Sequence, residues 1–456
     1  MLKKLKIYLS AYYIKTIIKN TMDYSITELD LSNRGLTKLP FLGNYPNLRK
    51  LNISYNKITK INNLPQTLQI LICKNNQIKK KIGKLPQSLQ ILDCSNNKIK
   101  VLNNLPHSLQ ELNCENNKIK KLGNLPQSLQ TLNCNWNRIK KLDNLPQSLQ
   151  KLDCHNNEII NLDNLPQSLQ ILYCYENRLT YLDNLPHSLQ KLICSNNNII
   201  RLDNLPQFLH ELICNNNDIT GLDNLPQLLQ GLECHNNKIC QLDNLPQTLL
   251  KLVCNNNNII NLDNLPPFLQ ELFCHYNQII TLNNLPQSLQ ILYCNRNNLT
   301  ELNNIPQSLQ ILDCNNNYLI VLNNLPQSLQ KLNCSNNNLI QLNNIPQSLQ
   351  ILDCGKNNIT ELNNLPHSLE DLRCDKYLIQ INKLNGSSHI VNFYDKPTRE
   401  NNIWSVQMQQ CDTKLTSVDS IPQALQMLEC DNSIIRLNKM ELEKLSYNCQ
   451  AVTVFW

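Results

Sequence analysis

Cysteine recurs in this sequence at a constant spacing. Sixteen of the 20 cysteines stand at Cys73, at Cys94 and then every 20 residues from Cys114 to Cys374. A column of this kind has two reactive interpretations, a disulfide framework or a ladder of soft metal ligands. No CxxC pair is present for tetrahedral zinc. The Cβ vectors of neighbouring column cysteines would run side by side into the core, which is the wrong geometry for a disulfide bond. The spacing therefore favours buried thiols that act as small apolar residues, and it predicts a reducing compartment, the cytoplasm.

Three histidines directly follow cysteines of this column, namely His155, His235 and His275. Alternation along an extended chain points each histidine away from its cysteine, so the two cannot share a metal ion. Two repeats separate His235 from His275, about 10 Å, which is too far for joint zinc ligation at about 2 Å each. We interpret these histidines as solvent-facing polar residues, and we predict no metal and no other cofactor.

Signals of catalysis are absent from the sequence. It has no glycine-rich phosphate loop, no HExxH and no nucleophile elbow, and carboxylates such as Asp153 and Glu233 are scattered. No uncharged apolar run reaches the roughly 18 residues of a membrane helix, and the regular Leu and Ile exclude disorder. These observations predict a non-enzymatic protein with no small-molecule substrate.

The elements that must position these residues come from a 20-residue repeat, LxxLxCxxNxIxxLxNLPxS, with 18 copies between Ile26 and Ile379. The alternating LxxLxCxx part predicts a short strand with one face inward. The proline disfavours helix before it and favours an extended, polyproline-like return path. No single unit can bury its own apolar edge, so the units must stack and their strands must pair in parallel.

This pattern resembles the leucine-rich repeat family, with Cys at the third apolar position. The 20-residue length and the LPxxL motif resemble the LPX-type repeats of bacterial effectors (YopM- and IpaH-like). The near-identical Asn-rich copies are similar to leucine-rich repeat proteins of giant, mimivirus-type DNA viruses. The resemblance implies a leucine-rich repeat solenoid, or horseshoe, with a parallel β-sheet on the concave face, an extended convex face and an N-terminal helical cap.

Sixteen asparagines occupy one turn column of the repeat, from Asn56 to Asn357. In the family, this side chain lies inside the coil and bonds backbone groups of its own and the next coil. The chemistry agrees, because an amide can serve as donor and acceptor where the chain leaves the strand. We expect a structural ladder that includes Asn97, Asn117, Asn157, Asn217, Asn257 and Asn317.

The ends of the chain depart from the repeat. Residues 1–25 have the spacing of an amphipathic capping helix, with a membrane-surface helix or a signal peptide as alternatives. Residues 26–379 form the predicted solenoid of 18 coils, residues 380–414 an irregular insertion, and residues 415–456 a degenerate repeat with a C-terminal cap.

The outward residue between the second Leu and the Cys changes character along the chain. It is mostly Asp or Asn near both ends and mostly apolar or aromatic in the middle. An apolar stripe rimmed by polar residues indicates a protein-binding surface. The alternative interpretation is that these β-forming residues only stabilise the strands on which they lie. With neighbouring columns, the predicted partner-binding residues are Tyr173, Tyr175, Ile193, Ile213, Val253, Phe273, Tyr276 and Tyr293.

Charge is also uneven. Residues 1–141 hold 24 Lys and Arg against 6 Asp and Glu, whereas the remainder holds 18 against 29. Many of the basic residues follow the Asn column, where stacking turns them into a ridge that could attract nucleic acid, anionic lipid or an acidic protein. The alternative is that these lysines are only a solvated edge without a partner. The basic edge is represented by Lys80, Lys100, Lys120, Lys121, Lys140 and Lys141.

The sequence therefore predicts a non-enzymatic protein-binding scaffold that uses the concave face, in the manner of a viral or effector-like interaction protein. Its site of action is expected to be the cytoplasm, that of a host if the protein is viral. One alternative is a binder of nucleic acid or acidic membrane through the basic edge. Another is a substrate adaptor for a partner ubiquitin ligase.

Overall fold

The computed structural model describes residues 24–375, apart from positions 263, 361, 363 and 364, together with the strands at 390–394 and 428–430. The chain forms two compact units, residues 1–238 and 239–456. Every regular element in the described part is a β-strand. The strands of the first unit are β1 (Glu28–Asp30), β2 (Lys50–Asn52), β3 (Ile70–Ile72), β4 (Lys79–Lys81), β5 (Ile91–Asp93), β6 (Lys98–Val101), β7 (Glu111–Asn113), β8 (Thr131–Asn133), β9 (Lys151–Asp153), β10 (Ile171–Tyr173), β11 (Lys191–Ile193), β12 (Glu211–Ile213) and β13 (Gly231–Glu233).

In the first unit, each repeat forms one coil, and its strand pairs in parallel with the strand of the next coil. The register is one whole repeat, so that Leu112 lies opposite Leu132 and Leu132 opposite Leu152. Strands β4 and β6 lie outside this ladder and form a separate two-stranded parallel sheet. The alternation of the sequence sets this register, because a slip by one residue would turn every leucine outward.

The second unit contains β14 (Lys251–Val253), β15 (Glu271–Phe273), β16 (Ile291–Tyr293), β17 (Ile311–Asp313), β18 (Lys331–Asn333), β19 (Ile351–Asp353), β20 (Asp371–Asp375), β21 (Ile390–Tyr394) and β22 (Leu428–Cys430). Strands β14 to β17 also pair in parallel with a register of one repeat. Strands β20, β21 and β22 pair in parallel as well, but without the 20-residue register, since Asp371 lies opposite Ile390 and Val391 opposite Leu428. Strand β21 falls within the range for which the sequence predicts an irregular insertion. Both units confirm the predicted solenoid of parallel strands.

The core of each coil consists of the repeated apolar positions. In the coil that begins at Leu109, the side chains of Leu109, Leu112, Cys114 and Ile119 are at most 1% exposed. Outside the strand the chain has little regular structure, and it turns back into the next strand at the proline, where the N–H of Leu129 donates to the carbonyl of Pro126. Burial of the same positions in every coil explains why these columns do not vary.

Two further asparagine columns have a left-handed backbone. Asn116 (φ 48°) and Asn104 (φ 54°) represent them, and almost every coil repeats both. Asparagine tolerates this conformation far better than β-branched or bulky residues do. The asparagine-rich composition therefore reflects two left-handed turns per coil in addition to the buried ladder.

The predicted capping helix at residues 1–25 lies almost entirely outside the described residues, as do most of residues 380–456. Within the described part of the chain, no helix is long and apolar enough to cross a membrane.

Candidate functional site

The buried asparagines bond the backbone of two successive coils. Asn97 Nδ2 donates to the carbonyl oxygens of Cys94 (3.1 Å) and Ser95 (3.0 Å) in its own coil, and of Cys73 (3.1 Å) in the preceding one. Its Oδ1 accepts from the N–H of Ile78, again in the preceding coil, at 3.0 Å. Each side chain thus satisfies backbone groups that the strand ladder leaves open.

The other predicted ladder asparagines are held in the same way. In each, Nδ2 donates to the carbonyl of the cysteine three residues earlier at 3.0 or 3.1 Å, and Oδ1 accepts a backbone N–H from the preceding coil. These contacts give the column a structural role. The residues are Asn117, Asn157, Asn217, Asn257 and Asn317.

The column cysteines are buried thiols. The sixteen from Cys73 to Cys374 are all buried, and none of the described cysteines is in a disulfide. Burial raises the pKa of Cys194 and of Cys234 to about 12, because desolvation penalises the thiolate. Among the described residues no group of three His, Cys, Asp or Glu side chains is placed to hold a metal ion.

The outward side of the strands, which we call the strand face, has a backbone role in the coils that carry Asp or Asn. Asp93 Oδ1 accepts from the N–H of Ser95 at 3.1 Å and from its hydroxyl at 2.7 Å. The same side-chain-to-backbone cap, two residues apart, occurs in eight coils of the described chain. In these eight coils, Asp or Asn therefore caps the turn that follows the strand, whereas Asp153 bonds the ring of His155.

Three consecutive coils of the first unit replace this capping residue by an apolar one. Tyr173, Ile193 and Ile213 are half-buried side chains at the ends of β10, β11 and β12, and they lie directly opposite one another in the ladder. Ile193 is followed by Cys and Ser, as Asp93 is. The isoleucine side chains have no hydrogen-bond acceptor, and the acceptor of Tyr173 is the hydroxyl at the far end of its ring, so the row lacks the short cap that Asp93 provides.

Charged and aromatic side chains surround this row. The ammonium groups of Lys151 and Lys191 lie 5.6 and 5.9 Å from the centre of the Tyr173 ring, within cation–π range. Lys191 also pairs with Glu211 at 2.7 Å. The row is therefore an apolar surface with charged side chains close to the ring of Tyr173.

His155 and Tyr175 form a stacked pair beside the row. Their ring centres are 4.0 Å apart and their planes differ by 10°, while His155 Nδ1 lies 2.6 Å from Asp153 Oδ1. Burial, together with the charge of Asp153, raises the pKa of Tyr175. The interpretation of His155 as solvent-facing is wrong, since the tyrosine of the next coil covers it; His235 and His275 are half-buried.

The second unit carries its own part of the predicted stripe. Val253, Phe273 and Tyr293 are half-buried on β14, β15 and β16, and the rings of Phe273 and Tyr293 stack at 5.1 Å. Tyr276 is exposed, with the guanidinium of Arg296 4.7 Å from its ring centre. The structure therefore places Val253, Phe273 and Tyr293 side by side, whereas Tyr276 contacts Arg296 and His275.

The repeat has a second break, at residues that are not among the predicted partner-binding residues. In most coils a serine before the strand donates to two carbonyls of the preceding coil, as Ser188 does to Gln167 (2.6 Å) and Leu169 (2.8 Å). Phe208 and Leu228 in the first unit, and Phe268 in the second, occupy this column. Phe208 is 58% exposed and Phe268 is 64% exposed. The interruption of the serine column, in the coils that carry the stripe, is the sequence signal of this break.

The six lysines of the basic edge lie outside the main strand ladder of the first unit, and all six are exposed. Lys121 and Lys141 are 3.9 and 3.1 Å from Asp143, and Lys140 is 3.9 Å from Glu158. Lys80 belongs to β4 and Lys100 to β6. Carboxylates therefore partly neutralise the later members of the edge.

Three comparisons with known proteins place this geometry in context. The family model "Leucine Rich repeats (2 copies)" matches residues 25–66. YopM from Yersinia enterocolitica WA-314 is similar in structure with a TM-score of 0.57 and 32% sequence identity, over 78% of this chain and 92% of that one. YopM from Yersinia pestis gives a TM-score of 0.53 and 31% identity over 76% and 88% of the two chains.

A more distant structure shares the fold. The functional domain of InlJ from Listeria monocytogenes, which is described as including a cysteine ladder, gives a TM-score of 0.52 at 24% identity, over 67% of this chain and 70% of that one. No curated protein sequence matches the chain significantly.

Proposed function

The chain belongs to the leucine-rich repeat family, and from that premise we propose that it is a non-enzymatic scaffold that binds a protein or peptide on its strand face. Repeats of this family are generally interaction scaffolds rather than catalysts, and stacked repeats offer an extended surface for binding. The specific residues and the partner are what the proposal adds.

The loss of backbone caps supports this proposal most strongly. Eight other coils of the described chain use Asp or Asn to accept the N–H two residues later, as Asn113 does from Glu115 at 3.1 Å, although Asp153, directly beside the row, bonds the ring of His155 instead. Tyr173, Ile193 and Ile213 forgo that bond and also expose apolar surface. Neither the lost hydrogen bond nor the exposed apolar surface stabilises the isolated chain. A role in binding therefore explains the row better than strand propensity does.

The charge around the row indicates the partner. From Glu111 to Glu233, the strand face and the turn beside it carry six carboxylates and two lysines. Complementary potentials fix the choice of partner and its orientation. We therefore expect a segment that carries Lys or Arg next to aromatic or aliphatic residues. The carboxylates are Glu111, Glu115, Asp153, Glu176, Glu211 and Glu233, and the lysines are Lys151 and Lys191.

Selection from a random-peptide display library tests the proposal. The wild-type protein should enrich basic peptides with aromatic or aliphatic residues. The variant Tyr173→Asn/Ile193→Asp/Ile213→Asn, which copies the flanking coils, should fold and fail to retain them. The control Tyr181→Asn/Ile160→Asp/Ile200→Asn removes the same residue types from exposed positions away from the row and should bind like wild type.

Two outcomes would overturn the proposal. One is the absence of any enriched motif on the wild-type protein. The other is equal retention of the enriched peptides by the row variant and by its control, because the row would then contribute nothing to recognition.

We further propose an effector-like role in the cytoplasm of a host cell. The similar YopM from Yersinia pestis is described as a leucine-rich effector protein, and the column of buried thiols suits a reducing compartment. Protein extracted under denaturing conditions from its native cells, without reductant, should then react with a maleimide at all 20 cysteines. Oxidised column cysteines would contradict this location.

A further inference from the structure

The densest positive charge in the first unit lies on its separate small sheet. Strand β4 consists of Lys79, Lys80 and Lys81, all exposed. It pairs in parallel with β6, so that Lys79 lies opposite Lys98. Like charges opposite each other in a sheet are destabilising. The fold therefore keeps a repulsive arrangement at the surface.

Lysines continue along the same edge in the coils on both sides. Outside the strand face and the turn beside it, residues 57–121 contain eleven lysines and no Asp or Glu. The three carboxylates of that range, Asp93, Glu111 and Glu115, belong to the strand face and its turn. The eleven residues are Lys57, Lys60, Lys79, Lys80, Lys81, Lys84, Lys98, Lys100, Lys118, Lys120 and Lys121.

Carboxylates neutralise this edge only at its far end. In the described chain, ion pairs at the edge involve Lys121, Lys140 and Lys141. The ten lysines before Lys121 form no ion pair with a described carboxylate. Their counter-charge must come from another molecule or from solvent ions.

The linear arrangement of the lysines favours a linear polyanion as the ligand. Coils stack at about 4.8 Å, so the lysines form a line along the stacking direction rather than a pocket for one anion. Nucleic acid carries its charge in a comparable line, with one phosphate per about 3.4 Å of each strand in a duplex. An acidic membrane is less suitable, because Val101 is the one exposed large hydrophobic residue described between Tyr55 and Trp136.

Two exposed aromatic rings lie at the ends of this line. Tyr55 and Trp136 are 56% and 53% exposed, and both occupy the left-handed column beside the ladder asparagine. Each stands two residues before a basic residue, Lys57 or Arg138. Four coils separate the rings, about 19 Å at the spacing of parallel strands. Exposed rings beside a basic track are the arrangement on which unpaired bases stack.

We propose that this edge binds single-stranded nucleic acid without sequence specificity, the lysines contacting phosphates and Trp136 stacking on a base. Electrostatic contacts of this kind weaken with salt, and the slope of log K against log salt measures the number of phosphates bound.

Fluorescence anisotropy with a labelled dT20 oligonucleotide and a U20 RNA, at 50 to 200 mM NaCl, tests the proposal on the full chain. Wild type should bind both probes, and binding should weaken with salt. Lys79→Gln/Lys98→Gln should weaken binding and reduce the salt slope by about 0.7 for each phosphate that the variant no longer neutralises. The control Lys331→Gln/Lys356→Gln removes the same charge from the second unit and should behave like wild type.

A third variant tests stacking. Trp136→Ala should weaken dT20 binding by about ten-fold or more and leave the salt slope unchanged, since the lysines that neutralise the phosphates remain. A 20-base-pair duplex should bind more weakly than dT20 and should not respond to this change. Circular dichroism confirms that each variant is folded.

Several results would overturn the proposal. Failure of wild type to bind dT20 and U20 at 50 mM NaCl would do so, as would equal losses of affinity in the two lysine pairs, which would indicate net charge alone. Preference for the duplex with no effect of Trp136→Ala would remove the single-strand assignment. Retention on phosphatidylserine vesicles without oligonucleotide binding would assign the edge to a membrane instead.

Discussion

The interior of the coils and the strand face differ in how far each position may change. The Asn column recurs in coil after coil because every coil has the same carbonyls and N–H groups to satisfy, and the Cys column from Cys73 to Cys374 recurs at a position that is buried in every one of these coils. On the strand face, the Asp or Asn that caps the next turn gives way to Tyr173 and Ile193 in one unit and to Phe273 in the other. The strand face therefore gives up its backbone cap in some coils, whereas the interior keeps its Cys and Asn in the same coils.

This difference separates two kinds of constraint. Interior side chains are fixed by the backbone of the same protein, so a change there costs stability wherever it occurs. Side chains on the face are fixed by the backbone only through one cap, so losing that cap is tolerable. Four predictions test this division, from the largest expected effect to the smallest.

Raising the pH should disrupt the interior first. Burial raises the pKa of Cys194 and Cys234 to about 12, whereas an unfolded thiol ionises near pH 8.5. The stabilising effect of the neutral thiol is complete below that value and is lost as the pH rises toward 12, because the unfolded state releases its proton first. Each buried thiol then lowers the free energy of unfolding by about 1.4 kcal/mol per pH unit.

Urea unfolding under reducing conditions at pH 7.5, 8.5 and 9.5 measures this effect. Since sixteen column cysteines are buried, the midpoint should fall steeply above pH 8.5. A midpoint that is constant up to pH 9.5 would contradict the buried neutral thiols.

Two adjacent asparagines should respond very differently to one substitution. Asn197 is buried, with Nδ2 donating to three carbonyls and Oδ1 accepting the N–H of Leu179, whereas Asn198 is exposed. Asn197→Leu should lower the free energy of unfolding by about 3 to 5 kcal/mol, because buried backbone groups lose their partners. Asn198→Leu should change it by less than about 0.5 kcal/mol. Equal effects in chemical denaturation would remove the ladder as the cause.

Much of this interior is predictable from the sequence, whereas parts of the face are not. The spacing of Leu, Cys and Asn predicts the strands and the inward columns, because these features depend only on the residues within a single repeat. The burial of His155 depends on Tyr175, which lies one whole repeat later, and alternation within a coil cannot report such a contact. The left-handed turns at Asn104 and Asn116 also require a backbone angle that a pattern of residue types does not contain.

Exchanging residues between coils should test the cap on the strand face. Ile193→Asp places Asp before Cys-Ser, as at Asp93, and should raise the free energy of unfolding by about 0.5 to 1 kcal/mol. Asp93→Ile should lower it by about 1 to 2 kcal/mol, since Ser95 can no longer donate its two hydrogen bonds. Thermal unfolding of both variants checks the signs. If Ile193→Asp destabilised the protein, the apolar row would be a contribution to stability and not a departure from it.

The smallest effect is expected in the left-handed column. Trp136 has a φ of 49° where the neighbouring coil has Asn116 at 48°. Trp136→Asn should stabilise the protein by about 0.5 to 1 kcal/mol, because asparagine accepts this conformation more readily. Asn116→Trp should have the opposite sign. The shift in Tm of the two variants is the measurement, and shifts of the same sign would argue against backbone strain.

The buried ladder also has a direction. Asn97 accepts the N–H of Ile78 and donates to the carbonyl of Cys73, both in the coil before it, so every coil is completed by its successor. During synthesis, a nascent coil would therefore stay unfinished until 20 more residues had left the ribosome. Shortening the protein from its two ends is not equivalent for the same reason. Loss of the last coil leaves backbone groups of its predecessor without their side-chain partners, whereas loss of the first coil leaves the asparagine side chain of its neighbour without one acceptor and one donor.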